Sequence, residues 1–378
     1  MSDTIHETIV IGAGISGLAC AGQLENNSEE FILISNNVGG RILPSKDGET
    51  NYGAFFVCSD YYNVLQYVTC KDRIRLSDFC FHENKDYYPL YSLKIINYLN
   101  QFVKIIKILH KFKKHLHNLR KNSKIMSQKK AIESDSYLYD LYMKNGYDFV
   151  SEQNLLEGTD VYLSKALYST TFSRIDEMNA FSFLQFLLPL ITPIYTFYFD
   201  KEQMTHPFQD KIIIDTVNTI RYKDKRYLIK TKKGSYQAKN IILATEITWS
   251  YQYANIREFN KPVKTNMLHI RATPKQMIKT KKYHLFSPSN NVQAIADLQD
   301  GTYLLYYKNE SPLLQVYFNN PRIIYQKQWN PAGIINGHQL IECDRGNNMY
   351  IIGDYNIAGL EESFITGIYG ANQIINNH

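Results

Sequence analysis

"ETIVIGAGISGLACAGQL", Glu7 to Leu24, decides the fold. An apolar, β-branched run leads into Gly12-Ala13-Gly14-Ile15-Ser16-Gly17, and Leu18, Ala19 and Ala21 then open a helical pattern. Between a strand and a helix this spacing has a physical reading. Gly12 permits a tight turn, Gly14 lets a pyrophosphate approach the backbone, and Gly17 lets helix and strand pack closely. The helix start, at Ile15 and Ser16, adds the partial positive charge that phosphates seek. The motif therefore predicts a dinucleotide site.

The next strand, in "FILISNNVGGR" (Phe31 to Arg41), ends in Ser35, where such folds place an acidic residue against the ribose. A charged acceptor contributes about 1.5–3 kcal/mol and a neutral one about 0.5–1.5 kcal/mol. The exchange weakens binding by roughly tenfold. Asn36 or Asn37 offers a substitute acceptor in a short loop. A competing reading takes Ser35 with Arg41 as a 2′-phosphate site, as in NADP enzymes.

Composition sets the outer bounds. A chain of 378 residues, 44% hydrophobic, is too apolar for disorder and long enough for two interlocked domains. Its five cysteines, Cys20, Cys58, Cys70, Cys80 and Cys343, are odd in number and lack CxxC spacing, which suits structural thiols in a reducing compartment. The first residues lack a basic region leading into a cleavable apolar segment, so an intracellular location is expected, cytoplasmic or peripheral to a membrane. No metal-ligand spacing and no Ser/His/Asp set is discernible.

The charge is unevenly placed. Eleven of the 42 Lys and Arg residues, and none of the 36 acidic ones, fall between Tyr87 and Ile132, so the rest of the chain is net acidic. Within it Ile95, Leu99, Phe102, Ile106 and Leu109 step by four and three, opposite Lys104, Lys107, Lys111 and Lys114. The pattern predicts a basic amphipathic helix over about 93–121. A solvated face is one reading, and contact of the 93–130 region with an anionic membrane is another. Without aromatic interleaving or a recognisable module, nucleic acid is not an expected partner. The uncharged run Phe181 to Tyr198 contains Pro189 and Pro193 and reads as core or channel wall.

Helix and loop dominate from about Ser59 to Asp200. Short β-branched runs broken by "KDK" and "KKG" turns then lead to an apolar strand at Asn240 to Ala244, and "NMYIIGD" precedes a closing helix. Three remote stretches, "VGGRILPSKDGETNYGAFFV", "TVNTI" with "NIILAT", and "MYIIGDYNIAGLEESFITGIYGANQII", together resemble the flavin amine oxidase superfamily. That group includes monoamine, polyamine and protoporphyrinogen oxidases, and its protoporphyrinogen oxidase uses an insertion in the position of the basic segment for membrane contact.

The resemblance implies noncovalent FAD, since no Cys stands at the family's covalent attachment position. The implied fold is α/β: a Rossmann-like FAD-binding domain, with a parallel sheet, helices and a β-meander, carrying an inserted α+β substrate domain. The implied boundaries are 1–58, 205–250 and 335–378 for the FAD domain and 59–204 and 251–334 for the insertion. Gly39, Gly40 and Arg41 are then expected along the pyrophosphate and flavin edge, Val217 at the adenine and Ala244 at the returning strand. By the same resemblance, Gly353 and Asp354 are expected at the ribityl or phosphate region, and the helix start around Glu362, Ser363 and Phe364 is expected to aim N–H groups at the flavin N1 and C2 carbonyl. The family's lysine near the flavin falls on Asn266, with Lys264 two residues away. Lys264, Trp329 and Tyr355 are the candidate reaction-centre residues. His269 and Arg271 are further cavity candidates, with a satisfied surface histidine as the plainer reading. The expected function is oxidation of a small molecule, an amine first, with reoxidation by oxygen. The alternatives are oxidation or desaturation of an apolar substrate, and a flavin-binding structural or membrane-associated protein that has lost catalysis.

Overall fold

The computed structural model describes residues 4–84 and 86–376. Its first sheet is built on the strand Ile5–Ala13, whose Ile9, Val10 and Ile11 are buried on both faces, as befits a central parallel strand. Phe31–Val38 pairs with it in parallel on one side and Ser235–Leu243 on the other. Ile212–Ile214 extends the sheet in parallel beyond Phe31–Val38, and Met349–Ile351 pairs in parallel with Ser235–Leu243. Val217–Lys223, Arg226–Thr231 and Ser235–Leu243 form the antiparallel meander. The helix Ile15–Asn26 packs on the closing helix Leu360–Ile375. Gly367 makes that crossing close, because a Cβ there would overlap the carbonyl oxygen of Ser16. The structure thus has the expected α/β architecture with its Rossmann-like sheet and meander.

A second seven-stranded sheet runs in the order Phe318–Asn336, Lys261–Pro274, Thr302–Tyr307, Val292–Asp297, Tyr283–Phe286, Phe79–Glu83 and Asp86–Pro89. A small third sheet joins Val57–Cys58, Ile194–Phe199 and Val68–Ile74. Residues 59–200 therefore contain more strand than helical and loop patterning suggests. Val68–Ile74 is largely exposed and lacks the alternation that marks a half-buried strand. The helices between the sheets start at polar caps: Ser127, Asp135, Asn145 and Asn179 each accept a backbone N–H of the first turn.

The basic helix exists but buries a different stripe. Its α-helical part is Leu99–Asn122, preceded by a 3-10 segment at Leu93–Tyr98. Ile105, Leu109, Phe112, Leu116 and Leu119 enter the core, whereas Leu99, Val103 and Ile106 are exposed. The sequence carries two apolar stripes, and packing against the helices Gln128–Glu133, Ser136–Met143 and Ala180–Leu187 selects one of them. No helix among the described residues is long and apolar enough to cross a membrane. Phe181–Tyr198 divides into the helix Ala180–Leu187, a short 3-10 turn and the strand Ile194–Phe199.

Candidate functional site

The glycines of the first turn divide by cause. Gly12 has φ +105°, and a Cβ there would lie 2.5 Å from the Ala244 carbonyl oxygen. A Cβ on Gly17 would overlap the carbonyl oxygen of Gly12. The fold itself requires both. Gly14 differs: its backbone is extended at φ −75° and ψ 179°, and a Cβ there would meet nothing closer than Gly40 Cα at 4.0 Å. No internal contact demands a glycine at this position. It caps a helix that has no side-chain cap and no acidic residue in its first turn. The first hydrogen bond of that helix runs from Leu18 N to Gly14 O, so the N–H groups of Ile15, Ser16 and Gly17 have no intrahelical acceptor. A bare backbone face at an uncapped helix N-terminus suits a phosphate.

Three remote segments converge beside this face. Arg41 Nη1 donates to Asp354 Oδ2 at 2.6 Å and to the Ala332 carbonyl at 3.3 Å. The Arg41 side chain is 38% exposed, while Asp354 is nearly covered. Desolvation works against the guanidinium charge, but Asp354 and Glu246 outweigh it and hold the group protonated. Gly39 and Gly40 turn the chain into Arg41 with φ of +112° and +60°. A Cβ on Gly40 would stand 2.9 Å from Gly14 Cα, so the two glycine turns lie face to face. Gly353 N donates to Thr366 Oγ1 at 2.9 Å, which ties the Gly353–Asp354 turn to the closing helix. Val217 begins the first meander strand, and Ala244 N donates to Ile11 O at 2.8 Å.

The end of the strand Phe31–Val38 is closed on itself. Ser35 is buried and its hydroxyl donates to the Asn37 carbonyl at 2.7 Å, so its proton is directed back into its own loop. Asn36 is exposed on the same loop.

The closing helix departs from expectation. Ser363 N bonds Gly359 O at 3.0 Å, so the N–H groups without intrahelical acceptors belong to Leu360, Glu361 and Glu362. Of the expected trio only Glu362 keeps one, and Phe364 stacks on Tyr67 in the core. The acidic side chains turn away into other partners. Glu361 accepts from the backbone N–H groups of Asn63 and Val64 and from the Asn63 amide. Glu362 Oε1 takes Arg120 Nε at 2.9 Å and Nη2 at 2.7 Å, bringing the basic helix onto the closing helix. Glu362 Oε2 is buried with no hydrogen-bond partner. Burial raises the Glu361 carboxyl above its usual range, opposed by the N–H groups of Val64 and Asn63.

The three candidate reaction-centre residues are not brought together. Lys264 is exposed, because its neighbours Val263 and Thr265 take the inward positions of the strand. The Asn266 amide donates to the Lys308 carbonyl at 3.1 Å. Tyr355 is buried in a different cluster, its hydroxyl unpartnered in a small pocket with Ser123 and Gln128. Trp329 does lie near Arg41. Its Nε1 donates to the Tyr52 carbonyl at 3.2 Å, and a Cβ on Gly53 would sit 3.1 Å from its ring while overlapping Arg41 O. His269 is buried, where a surface position was the plainer reading. Its Nδ1 lies 3.0 Å from Tyr52 Oη, its Nε2 has no partner, and burial lowers its basicity. Arg271 is exposed on the same strand.

The absence of metal-ligand spacing in the sequence does not survive folding. Cys80, His82 and His284 are all buried, with one ligand atom from each within 4.8 Å of the others. His284 comes from a strand 202 residues beyond His82, so no local spacing announces the group. The alternation of Cys80 and His82 on one strand was the only available signal.

Structures similar to the whole chain include a putrescine oxidase redesigned in its cofactor binding (TM-score 0.71, 13% identity, 99% of each chain). The CLA-producing fatty acid isomerase of P. acnes is comparable (TM-score 0.70, 13% identity, 98% of each chain). Cyclohexylamine oxidase of Brevibacterium oxydans follows (TM-score 0.66, 13% identity, 99% of each chain). No protein-family model and no curated protein sequence matches the chain. The chain therefore shares its overall fold with these solved structures.

Proposed function

We propose that the protein is an FAD-dependent oxidoreductase that binds its cofactor noncovalently and takes two electrons and a proton from a carbon–hydrogen bond of a small organic substrate. The observation that carries this reading is the bare, uncapped face at Gly14 opposite an accessible Arg41, a face with no internal structural cause. It fits the pyrophosphate of a dinucleotide. In this assignment residues 1–58, 205–250 and 335–378 hold the cofactor, and 59–204 and 251–334 face the substrate.

Each part of the chain has a stated task. The N–H groups of Ile15, Ser16 and Gly17 and the Arg41 guanidinium bind phosphate oxygens. Asp354 holds Arg41 in place and accepts from ribityl hydroxyls. Val217 and Ala244 flank the adenine side, and Ser35 or Asn36 accepts from the ribose. When bound, FAD supplies the hydride-accepting redox chemistry. The free N–H groups at Leu360 to Glu362 favour the negative charge that reduction creates nearby. Trp329, held by Tyr52, excludes water from an apolar wall. With Lys264 exposed, no lysine is assigned a part in the reaction. An amine is the first substrate class, as the names of two similar structures suggest, and oxygen is the electron acceptor.

A second reading, a protein on this fold without turnover, draws on the inward hydroxyl of Ser35 and the outward Lys264. The visible spectrum of purified protein, before and after acid precipitation, separates the cases. Flavin that acid releases to the supernatant of one sample, and that an amine reduces without air in untreated native protein, supports the oxidoreductase. Flavin that no substrate reduces leaves the second reading, and a protein that neither contains nor takes up FAD refutes both the cofactor assignment and the activity.

The basic helix carries a separate proposal of peripheral contact with an anionic membrane. The exposed apolar residues of the helix and of the 3-10 segment before it, Leu93, Ile96, Leu99, Val103 and Ile106, lie among lysines, and Leu93 is 84% exposed.

A further inference from the structure

We propose that Cys80, His82 and His284 form a three-ligand site for a monovalent soft cation, Cu+. The strand Phe79–Glu83 runs parallel to Tyr283–Phe286, with Cys80 opposite His284 and His82 opposite Phe286. Alternation places Cys80 and His82 on one face. His82 Nε2 lies 2.8 Å from His284 Nδ1, and the Thr280 hydroxyl is 3.8 Å from Cys80 Sγ.

The orientation of His284 resembles that of a metal ligand more than that of a packing residue. Its Nε2 is 3.0 Å from the Ile278 carbonyl and 2.9 Å from that of Lys281, so Nε2 carries the proton and Nδ1 presents its lone pair inward. A backbone carbonyl on the outer nitrogen is the usual device that fixes the tautomer of a ligating histidine. The His82 ring is held flat against Phe286 at 4.5 Å between centroids. Bonds of about 2.0–2.3 Å to sulfur and nitrogen require the two imidazole nitrogens to separate by roughly 0.5 Å from their cation-free contact.

Ligand chemistry and charge select the cation. One thiolate and two imidazoles, with no carboxylate in the group, suit Cu+ or Zn2+ and not Mg2+ or Ca2+. All three ligands are buried, and a thiolate with two neutral imidazoles leaves Cu+ electrically neutral but Zn2+ with an uncompensated positive charge. Uptake requires no change of oxidation state. The Cys80 thiol proton leaves to solvent as the sulfur–copper bond forms, and His82 moves its proton from Nε2 to Nδ1 to free its lone pair. The cation then links the edge strand pair Phe79–Glu83 and Asp86–Pro89 to the neighbouring strand Tyr283–Phe286 of the second sheet.

The test uses the full-length protein, stripped of metal under reducing conditions and titrated with Cu+ against a chromophoric chelator, with Zn2+ in a parallel series. The site predicts one equivalent of Cu+, bound at least tenfold more weakly by Cys80→Ser and His284→Gln and unchanged in Cys70→Ser, whose thiol is exposed. X-ray absorption on copper-loaded wild-type protein should show one sulfur and two nitrogen neighbours, and this decides the matter if the variants do not fold. A first shell without sulfur, binding that survives Cys80→Ser, or uptake of Zn2+ but not Cu+ overturns the proposal.

Discussion

Replacing Gly14 with alanine separates a glycine kept for the fold from one kept for a ligand. At φ −75° and ψ 179° alanine is unstrained, and its methyl group reaches only ordinary contact with Gly40 Cα at 4.0 Å. Restricting the unfolded chain stabilises by about 0.4–1 kcal/mol. Alanine is a poorer helix cap than glycine by a similar amount. The net effect on the apoprotein should lie within about 0.5 kcal/mol of zero. With roughly 2.1 cal/mol/K of unfolding entropy per residue, that moves the melting temperature by less than about 1 °C. Gly17→Ala behaves differently, since its methyl group overlaps Gly12 O and must displace backbone, costing about 1–3 kcal/mol or more. Melting curves of the two apoproteins and FAD titration by quenching of flavin fluorescence give the comparison. Gly14→Ala should melt with the wild type yet bind FAD at least tenfold more weakly. Equal destabilisation by the two substitutions, or unchanged FAD affinity in Gly14→Ala, refutes the assignment of Gly14 to the pyrophosphate.

Arg120→Met leaves Glu362 buried without its partner and should lower stability by about 3–5 kcal/mol in urea unfolding, with most of the loss recovered in Arg120→Met/Glu362→Gln. Acid should weaken the metal-free protein through His82 and His284, whose burial lowers their pKa values to about 3 and about 4. The unfolded chain binds those protons from about pH 6.5 downward and the folded chain does not. Their stabilisation is therefore complete above pH 6.5 and lost as pH falls. At pH 5 the loss is about 2 kcal/mol per histidine, read as a flatter stability–pH curve in His82→Gln/His284→Gln. Sedimentation with anionic vesicles should retain the wild-type protein and lose it at high salt, and Leu93→Ser/Val103→Ser should reduce binding by tenfold or more. Neutral vesicles retaining equal amounts would refute the electrostatic part.

Local chemistry made the first turn legible. Gly12, Gly14 and Gly17 are read from their spacing because a strand, a tight turn and a helix start are contiguous in the chain. The polar caps and the alternation of the buried strands are legible for the same reason. The catalytic candidates were not. Lys264 faces outward because the strand's alternation gives the inner face to Val263 and Thr265, and a shift of one residue in register reverses that assignment.

The sequence by itself therefore determined the glycine-rich turn between strand and helix, the α/β class and the existence of a basic helix, since each follows from interactions within a few residues. Tertiary structure alone decided the rest. It set Arg41 against Asp354 across 313 residues, turned Glu362 toward Arg120, and gathered Cys80 and His82 with His284. It also chose which of two apolar stripes on the basic helix to bury. Local propensity is silent on such choices, because the competing arrangements share the same backbone pattern and differ only in what the other side of the chain supplies.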